Sequence, residues 1–336
     1  MSEYYEPGTN IIPDVQADEN KLVNVALSKL PIPYISGLKL KADISIGDLV
    51  LNTIDTEGDT TGVVWVCTEL DGWWNIPDPE FPELTRGWGD GSYDANGRYA
   101  ARLITLNGSF LTQTPDQVEA ARKKLIEAID LVYRGADLKV NEETRARNLD
   151  GSYTATASPK VAFVRISGRP SIISTKARGR HDFSIGLKAP DHVKYEYLEA
   201  TYRTATLSRG SNTTITNTGN TRTPFIFEIT GTTASGEKLT IQNEYQKDGV
   251  TVTETITGIV KTGSSYTTEI DTYNRNVLRV TRSGGGAVTS TVTARGDVDA
   301  YVDWLQLYPG SNKITFSSTG SSTVSCKINY RSGWIG

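Results

Sequence analysis

Two histidines and two cysteines in 336 residues leave this chain little material for metal or nucleophilic chemistry. A metal site needs clustered ligands, yet Cys67 and Cys326 stand at opposite ends of the sequence, each inside a strand-like run. They are expected as free, buried thiols. Long apolar runs are missing as well, and no stretch approaches the ~18–20 residues of a membrane span. The opening Met1-Ser2-Glu3-Tyr4-Tyr5 has neither the basic stretch nor the apolar run of a signal peptide. The chain is therefore expected to be made, and at first kept, in a cytosol. A formal net charge of −4 offers no basic face to nucleic acid. Internal repeats and heptads are absent too.

Apolar residues are present but lean. Counted with glycine and without tyrosine, they make up about 41% of the chain, below the ~45–50% of an average globular protein. Thin sheets with one wet face suit such a composition, rich in Thr, Ser and Gly. The length allows two domains at ~100–200 residues each.

One segment reads clearly as a helix, over residues 115–134. Thr114 suits the N-cap, Pro115 the first helical position, and Gln117 completes a capping box. Val118, Ala121, Leu125, Ala128, Ile129 and Val132 recur at helical spacing and make one buried stripe. Arg122, Lys123, Lys124, Glu127 and Asp130 face outward, and Gly135 ends the helix. A lone amphipathic helix must bury its stripe, and a sheet is the expected partner.

Elsewhere the texture is β, after a first stretch in which 14–29 could hold a short helix before Pro31 and Pro33. Strands are expected at 48–54, 63–70, 98–110, 152–157, 161–167 and 181–188, with 194–207 alternating less cleanly. Residues 75–97, crowded with Pro, Gly and Asp, read as a loop without regular period. At this length it calls for a function or a partner that orders it. Residues 208–223 are poor in large apolar side chains, and a domain junction is placed there. Short strands at regular spacing then follow at 225–230, 238–243, 250–260, 266–271, 277–282, 287–294, 302–307, 313–316 and 323–330. Such spacing argues a two-sheet sandwich of jelly-roll type.

The chain carries no recognisable catalytic motif. G-x-S-x-G, H-E-x-x-H and the phosphate-binding glycine patterns do not occur. Cys67 and His181 have no local support as a pair, and His181 and His192 lack an acid partner in register. Asp90, Ser92, Asp94, Asn96 and Gly97 resemble the start of a calcium loop, but Leu103 stands where the closing Glu should be. Carboxylate pairs such as Asp297/Asp299 and Glu142/Glu143 lack an apolar setting that would raise a pKa. The expectation is a protein with no enzyme activity, no cofactor and no metal. Trp73, Trp74 and Trp88, in or beside the irregular loop, are the candidate interface residues. Core packing beneath the loop and stacking on sugar are the other readings of the same tryptophans.

Several short motifs, in order, resemble the distal tail proteins, or minor tail proteins, of long non-contractile-tailed bacteriophages of the actinobacteriophage type. They are Gly47-Asp48-Leu49-Val50-Leu51-Asn52, Leu70-Asp71-Gly72-Trp73-Trp74, Arg102 to Gly108 and Asp182 to Asp191. Further on come Asn217 to Gly231, Ile270-Asp271-Thr272 with Asn274-Arg275 and Val277, and Leu307 to Phe316. The resemblance spans about residues 45–335, with His192 where a proline would be expected. It implies a mainly β chain with an arm at 1–45 and a ring-forming split β-sandwich or belt domain at 46–208, bearing the helix. A galectin-like jelly-roll sandwich would follow at 209–336. It also implies a structural virion protein of the siphovirus tail tip or baseplate, assembled in the host cytoplasm. Six copies would form a ring, a homohexamer, joining the tail-tube protein to a central hub or fibre protein. The tape-measure protein is a further candidate partner, and neither nucleic acid nor membrane is called for. The alternative is a carbohydrate-binding module that contacts the host cell wall through Tyr266, Tyr273, Tyr301, Trp304 and Tyr308.

Overall fold

The computed structural model describes residues 43–52, 59–81, 84–85, 92–93, 98–147, 153–174, 179–259, 267–282, 288–292 and 304–336. The expected helix at 14–29 lies outside them, as does Trp88. In chain order the strands are β1 (Asp43–Ile46), β2 (Leu49–Leu51), β3 (Val64–Asp71), β4 (Pro79–Glu80), β5 (Leu84–Thr85), β6 (Ser92–Tyr93), β7 (Arg98–Tyr99) and β8 (Arg102–Leu111). Helix α1 (Pro115–Arg134) follows, then β9 (Ala136–Arg147), β10 (Tyr153–Ile166), β11 (Ser171–Ser174), β12 (Arg180–Ala189) and β13 (Lys194–Glu196). The remainder are β14 (Arg203–Ser208), β15 (Ser211–Asn217), β16 (Phe225–Gly231), β17 (Leu239–Lys247), β18 (Val250–Ile259) and β19 (Thr267–Asp271). They end with β20 (Asn276–Arg282), β21 (Val288–Val292), β22 (Gly310–Ser318), β23 (Val324–Tyr330) and β24 (Gly333–Trp334). The chain is thus mainly β with one helix among the described residues. That helix is not apolar enough to cross a membrane.

Two compact units interleave along the sequence. Among the described residues, those within 1–71, 103–157 and 164–188 form the first, and those within 72–102, 158–163 and 189–336 the second. The first unit is built on a sheet of order β2-β1-β9-β10-β12-β8-β3, with β11 on β12. Helix α1 packs on β9 and β2 and buries Ala121, Leu125, Ala128 and Val132. The capping box forms as the sequence predicts: Gln117 N donates to Thr114 Oγ1, and Gln117 Oε1 accepts from Thr114 N. Trp65 fills the centre of the core, 5.2 Å from the Phe110 ring and 6.3 Å from Phe183. Gly108 has no space for a side chain, since a Cβ there would lie 2.4 Å from Phe183 and 2.7 Å from the Val66 carbonyl.

A second anchor holds the helix. Asp59 accepts from Lys124 Nζ (2.9 Å), Trp65 Nε1 (3.0 Å), Thr61 N and Oγ1, and Val63 N. Burial alone would raise its pKa, but these donors prevail and hold it well below the usual carboxylate range. One buried carboxylate thus ties the helix to the lead-in of β3.

The second unit contains the sandwich. One sheet runs β14-β23-β16-β19-β20-β21 and the other β15-β22-β17-β18. Each pairs an early strand with a late one, β14 with β23 and β15 with β22, so the sandwich closes only when both ends of its sequence are in place. Between the sheets lie Leu207, Ile215, Phe225, Phe227, Ile229, Leu239, Ile241, Ile256, Ile270, Leu305, Ile314, Phe316 and Ile328.

Four readings of the sequence need correction. The expected strands at 152–157 and 161–167 are one strand, β10, which runs through Pro159. The segment at 208–223 holds β15, with Ile215 and Asn217 turned inward and Thr214 and Thr216 outward. Its low apolar content reflects a one-sided edge strand, and the chain passes from one sheet to the other at Arg209-Gly210. Residues 304–306 are not strand, and Leu307 makes only an isolated bridge to Thr223. Strand β9 was missed: Ala136, Leu138 and Val140 alternate and are buried, a short signal that the charged run from Asn141 to Arg147 cuts off.

Candidate interaction surface

The irregular 75–97 segment carries short ladders in the second unit. Pro79 pairs with Tyr99 and Glu80 with Arg98, then Leu84 with Tyr93 and Thr85 with Ser92. The partners converge, so the described parts make an antiparallel arm. Ala100 N donates to the Asp78 carbonyl (2.8 Å), and Arg98 Nε bonds Glu80 (2.9 Å).

A buried guanidinium fixes the base of this arm. Arg102 Nη1 donates to the carbonyls of Gly72, Trp73 and Asn75, and Nη2 to that of His192. Lys194 Nζ donates to the same Trp73 carbonyl (3.0 Å) and lies 4.9 Å from the centre of the Trp73 ring. Both cations are buried. Carbonyl oxygens of a turning backbone supply the acceptors, so the turn at 72–75 is held in one conformation.

The three sequence-predicted tryptophans part company here. Trp73 is fully buried and is a core residue, a correction to its place among the surface candidates. Trp74, the next residue of the turn that Arg102 braces, points outward and is 43% exposed. Trp88 lies outside the described residues. Sequence reasoning missed Ile76, Phe81 and Tyr99, which join Trp74 as exposed apolar side chains of the arm. Their signal was there: large apolar residues in a segment otherwise made of Pro, Gly and Asp.

The first unit has a separate exposed apolar stripe. On α1, Ile126 and Tyr133 stand seven residues apart on the outer face, and Tyr133 is 75% exposed. The helix prediction assigned only charged residues to that face.

The titratable candidates from the sequence fall in places that suit structure. Burial pushes the Cys67 thiol up to about 12, so it is no thiolate at neutral pH. Cys326 is likewise buried and raised. The His181 ring stacks on Phe110 at 4.9 Å; burial and then Arg122 lower its pKa. His192 sits 3.6 Å from Asp191 and beside the Tyr99 ring; burial lowers its pKa against the pull of Asp191. Among the described residues no three His, Cys, Asp or Glu side chains group as metal ligands. Asp90, Asp94, Asn96, Gly97, Asp297 and Asp299 lie outside the described residues.

For sugar, the aromatic residues do not align. Tyr308 is covered on one face by Tyr245, with ring centroids 3.6 Å apart, and has the Arg222 guanidinium 4.9 Å from its ring centre. Trp304 packs against the sandwich core. Tyr273 is exposed and hydrogen-bonded to Asp191. Tyr266 and Tyr301 lie outside the described residues.

No protein-family model matches the sequence, and no curated protein matches it. Among solved structures, the chain is similar to the Dit protein of phage SPP1, described as a paradigm of the hub adsorption apparatus in phages infecting Gram-positive bacteria. The match covers 86% of this chain and 98% of that one at 14% identity, with a TM-score of 0.49. Chains of the phage P2 baseplate in its activated conformation, solved with calcium and with strontium, match 85% of this chain and 97% of theirs. Identity there is 9% and the TM-score 0.39. Nothing about activity follows from likenesses this distant.

Proposed function

We propose that the chain is a structural component of a phage tail tip that assembles head to tail with copies of itself into a ring, six-membered as in the family its motifs resemble. One observation carries the reading: among the exposed apolar side chains of the two units are two groups, each on a single element. One is the arm, with Trp74, Ile76, Phe81 and Tyr99, and the other is the outer face of α1, with Ile126 and Tyr133. Two unlike sticky patches on one chain favour heterologous contacts, and these close into rings when the rotation allows. The ordered tail-protein motifs in the sequence supply the setting. On this reading the ring joins the tail-tube protein to the hub or fibre protein and does no chemistry, and the sandwich that runs from β14 to β23 is of the galectin-like kind.

Mass photometry and negative-stain microscopy of the purified chain test the proposal. Closed rings are expected, with Trp74→Asp and Ile126→Asp each shifting the population to monomer. A chain that stays monomeric at high concentration would overturn it.

A further inference from the structure

The motif from Leu307 to Phe316 surrounds a network of buried amides at one end of the sandwich. Asn312 Nδ2 donates to the carbonyls of Tyr308 (2.8 Å) and Gly310 (3.0 Å), and its Oδ1 accepts from Tyr308 N (3.0 Å). One side chain thus braces the whole Tyr308–Gly310 turn. Beneath it, Asn243 Nδ2 donates to the Gln306 carbonyl (2.9 Å) and to Asn312 Oδ1 (3.3 Å). Both asparagines are completely buried.

These bonds also fix the orientation of the Asn243 amide, because both its contacts are acceptors and only the NH2 can meet them. Its Oδ1 is thereby turned to the other side, where no protein donor reaches it. Directly across the β17–β18 ladder stands Glu254. Two residues along, Ile241 opposes Ile256, and both are in the core, so Asn243 and Glu254 share the inner face. Glu254 Oε1 accepts from Tyr245 OH (2.8 Å) and lies 3.5 Å from Tyr308 OH, while Oε2 is buried without a donor. Opposed cross-strand residues hold their Cβ atoms ~4.5–5.5 Å apart. The two orphaned acceptors thus belong to directly opposed residues on the inner face, and buried acceptors of this kind call for a donor.

We infer that Asn243 Oδ1 and Glu254 Oε2 form a binding site for one internal water, which donates a hydrogen to each and locks the Tyr308–Asn312 turn onto β17 and β18. A water is the donor of the right kind: small, able to give two hydrogens at once, and at home among several polar partners.

A crystal structure of the full chain, at a resolution that orders buried waters, tests this directly. A density peak at hydrogen-bond distance, ~2.7–3.2 Å, from both oxygens is expected. Glu254→Gln sharpens the test, because its neutral amide can donate to the same water, which still donates to Asn243 Oδ1; the variant should keep the peak and melt no lower than the parent. Continuous density without a peak in the parent would overturn the inference. So would a melting temperature that rises with added calcium or magnesium in the parent and not in Glu254→Gln, since the site would then hold a cation.

Discussion

The sheet of the first unit and the sandwich of the second face the same problem, a sheet with one apolar face, and solve it differently. The first covers its sheet with a single helix, whose stripe and cap lie within twenty-odd consecutive residues. The second covers one sheet with another, so its cover as well as its sheet is made of strands about a hundred residues apart, β14 with β23 and β15 with β22, whereas in the first only the sheet pairs at that range, as β1 does with β9. Local cover concentrates the energetics in a few side chains, whereas non-local cover spreads them over a whole interface. It also makes the closing contacts late and costly in chain entropy. The first unit is therefore expected to fail through single residues on α1, and the sandwich gradually.

The hardest test of that contrast is Leu125→Asp. Leu125 is completely buried in the helix stripe. The change removes its packing and buries a charge, a loss of more than ~5 kcal/mol, which is as large as many domains' total stability. Hydrogen exchange by mass spectrometry should show α1, β9 and β2 losing protection while β16, β17, β22 and β23 keep theirs. Loss of protection in both units together would erase the contrast.

Phe227→Ala probes the other side. Phe227 is buried between the sheets and meets Phe225 edge to face at 4.5 Å. The cavity should cost ~3–5 kcal/mol, read as a lower urea midpoint for the sandwich, with exchange in α1 unchanged. A smaller loss than that of Leu125→Asp is the expected order, and the reverse order would mean that the sandwich is the more brittle unit.

The same contrast explains what could be read in the sequence. Helix α1 was legible to the residue, because its cap, its stripe and its terminal glycine are local signals. Most sandwich strands were legible in outline, because Phe225, Phe227, Ile229 and Ile314, Phe316 alternate with polar neighbours. Register and order were not, since no local signal says that Ser208 faces Ser325. β9 was missed because its apolar side, Ala136, Leu138 and Val140, is short and the rest of the strand, from Asn141 on, is charged. Of the candidate surface, Trp74 was found by residue type alone. Burial separated it from Trp73, and that depended on Arg102, whose hydrogen-bond partners span 72–75 and 192. A motif with an arginine thirty residues from the turn it braces carries no sign of that role.

A smaller effect distinguishes the polar anchor of the helix from its apolar stripe. Asp59→Asn keeps the shape but removes the charge that Lys124 and Trp65 address, at ~1.5–3 kcal/mol. The folded pKa of Asp59 lies below its ordinary value of ~3.9. Its stabilisation is therefore complete above pH ~4 and is lost as the pH falls further, toward the folded value. Acid titration of the first unit's melting temperature should show a steeper fall below pH ~4 in the parent than in Asp59→Asn. Parallel curves would mean that the carboxylate contributes nothing to the anchoring of α1.

The smallest effect expected is that of Thr114→Ala. Thr114 is extended, with φ −125° and ψ 154°, and its hydroxyl satisfies one helix-end N–H. Losing it should cost about 1 kcal/mol, a melting shift of a few degrees confined to the first unit. Gln117 does more than its half of the capping box. Its Oε1 also accepts from Gln113 N (2.7 Å), and its Nε2 donates to the Thr61 carbonyl (3.1 Å), in the segment that Asp59 organises. Gln117→Ala should therefore cost more than Thr114→Ala, and it should couple to Asp59→Asn in a double-mutant cycle whereas Thr114→Ala does not. Coupling of both to Asp59 would make cap and anchor one structural element. Coupling of neither would leave the helix held by its stripe alone, the most local arrangement this unit could have.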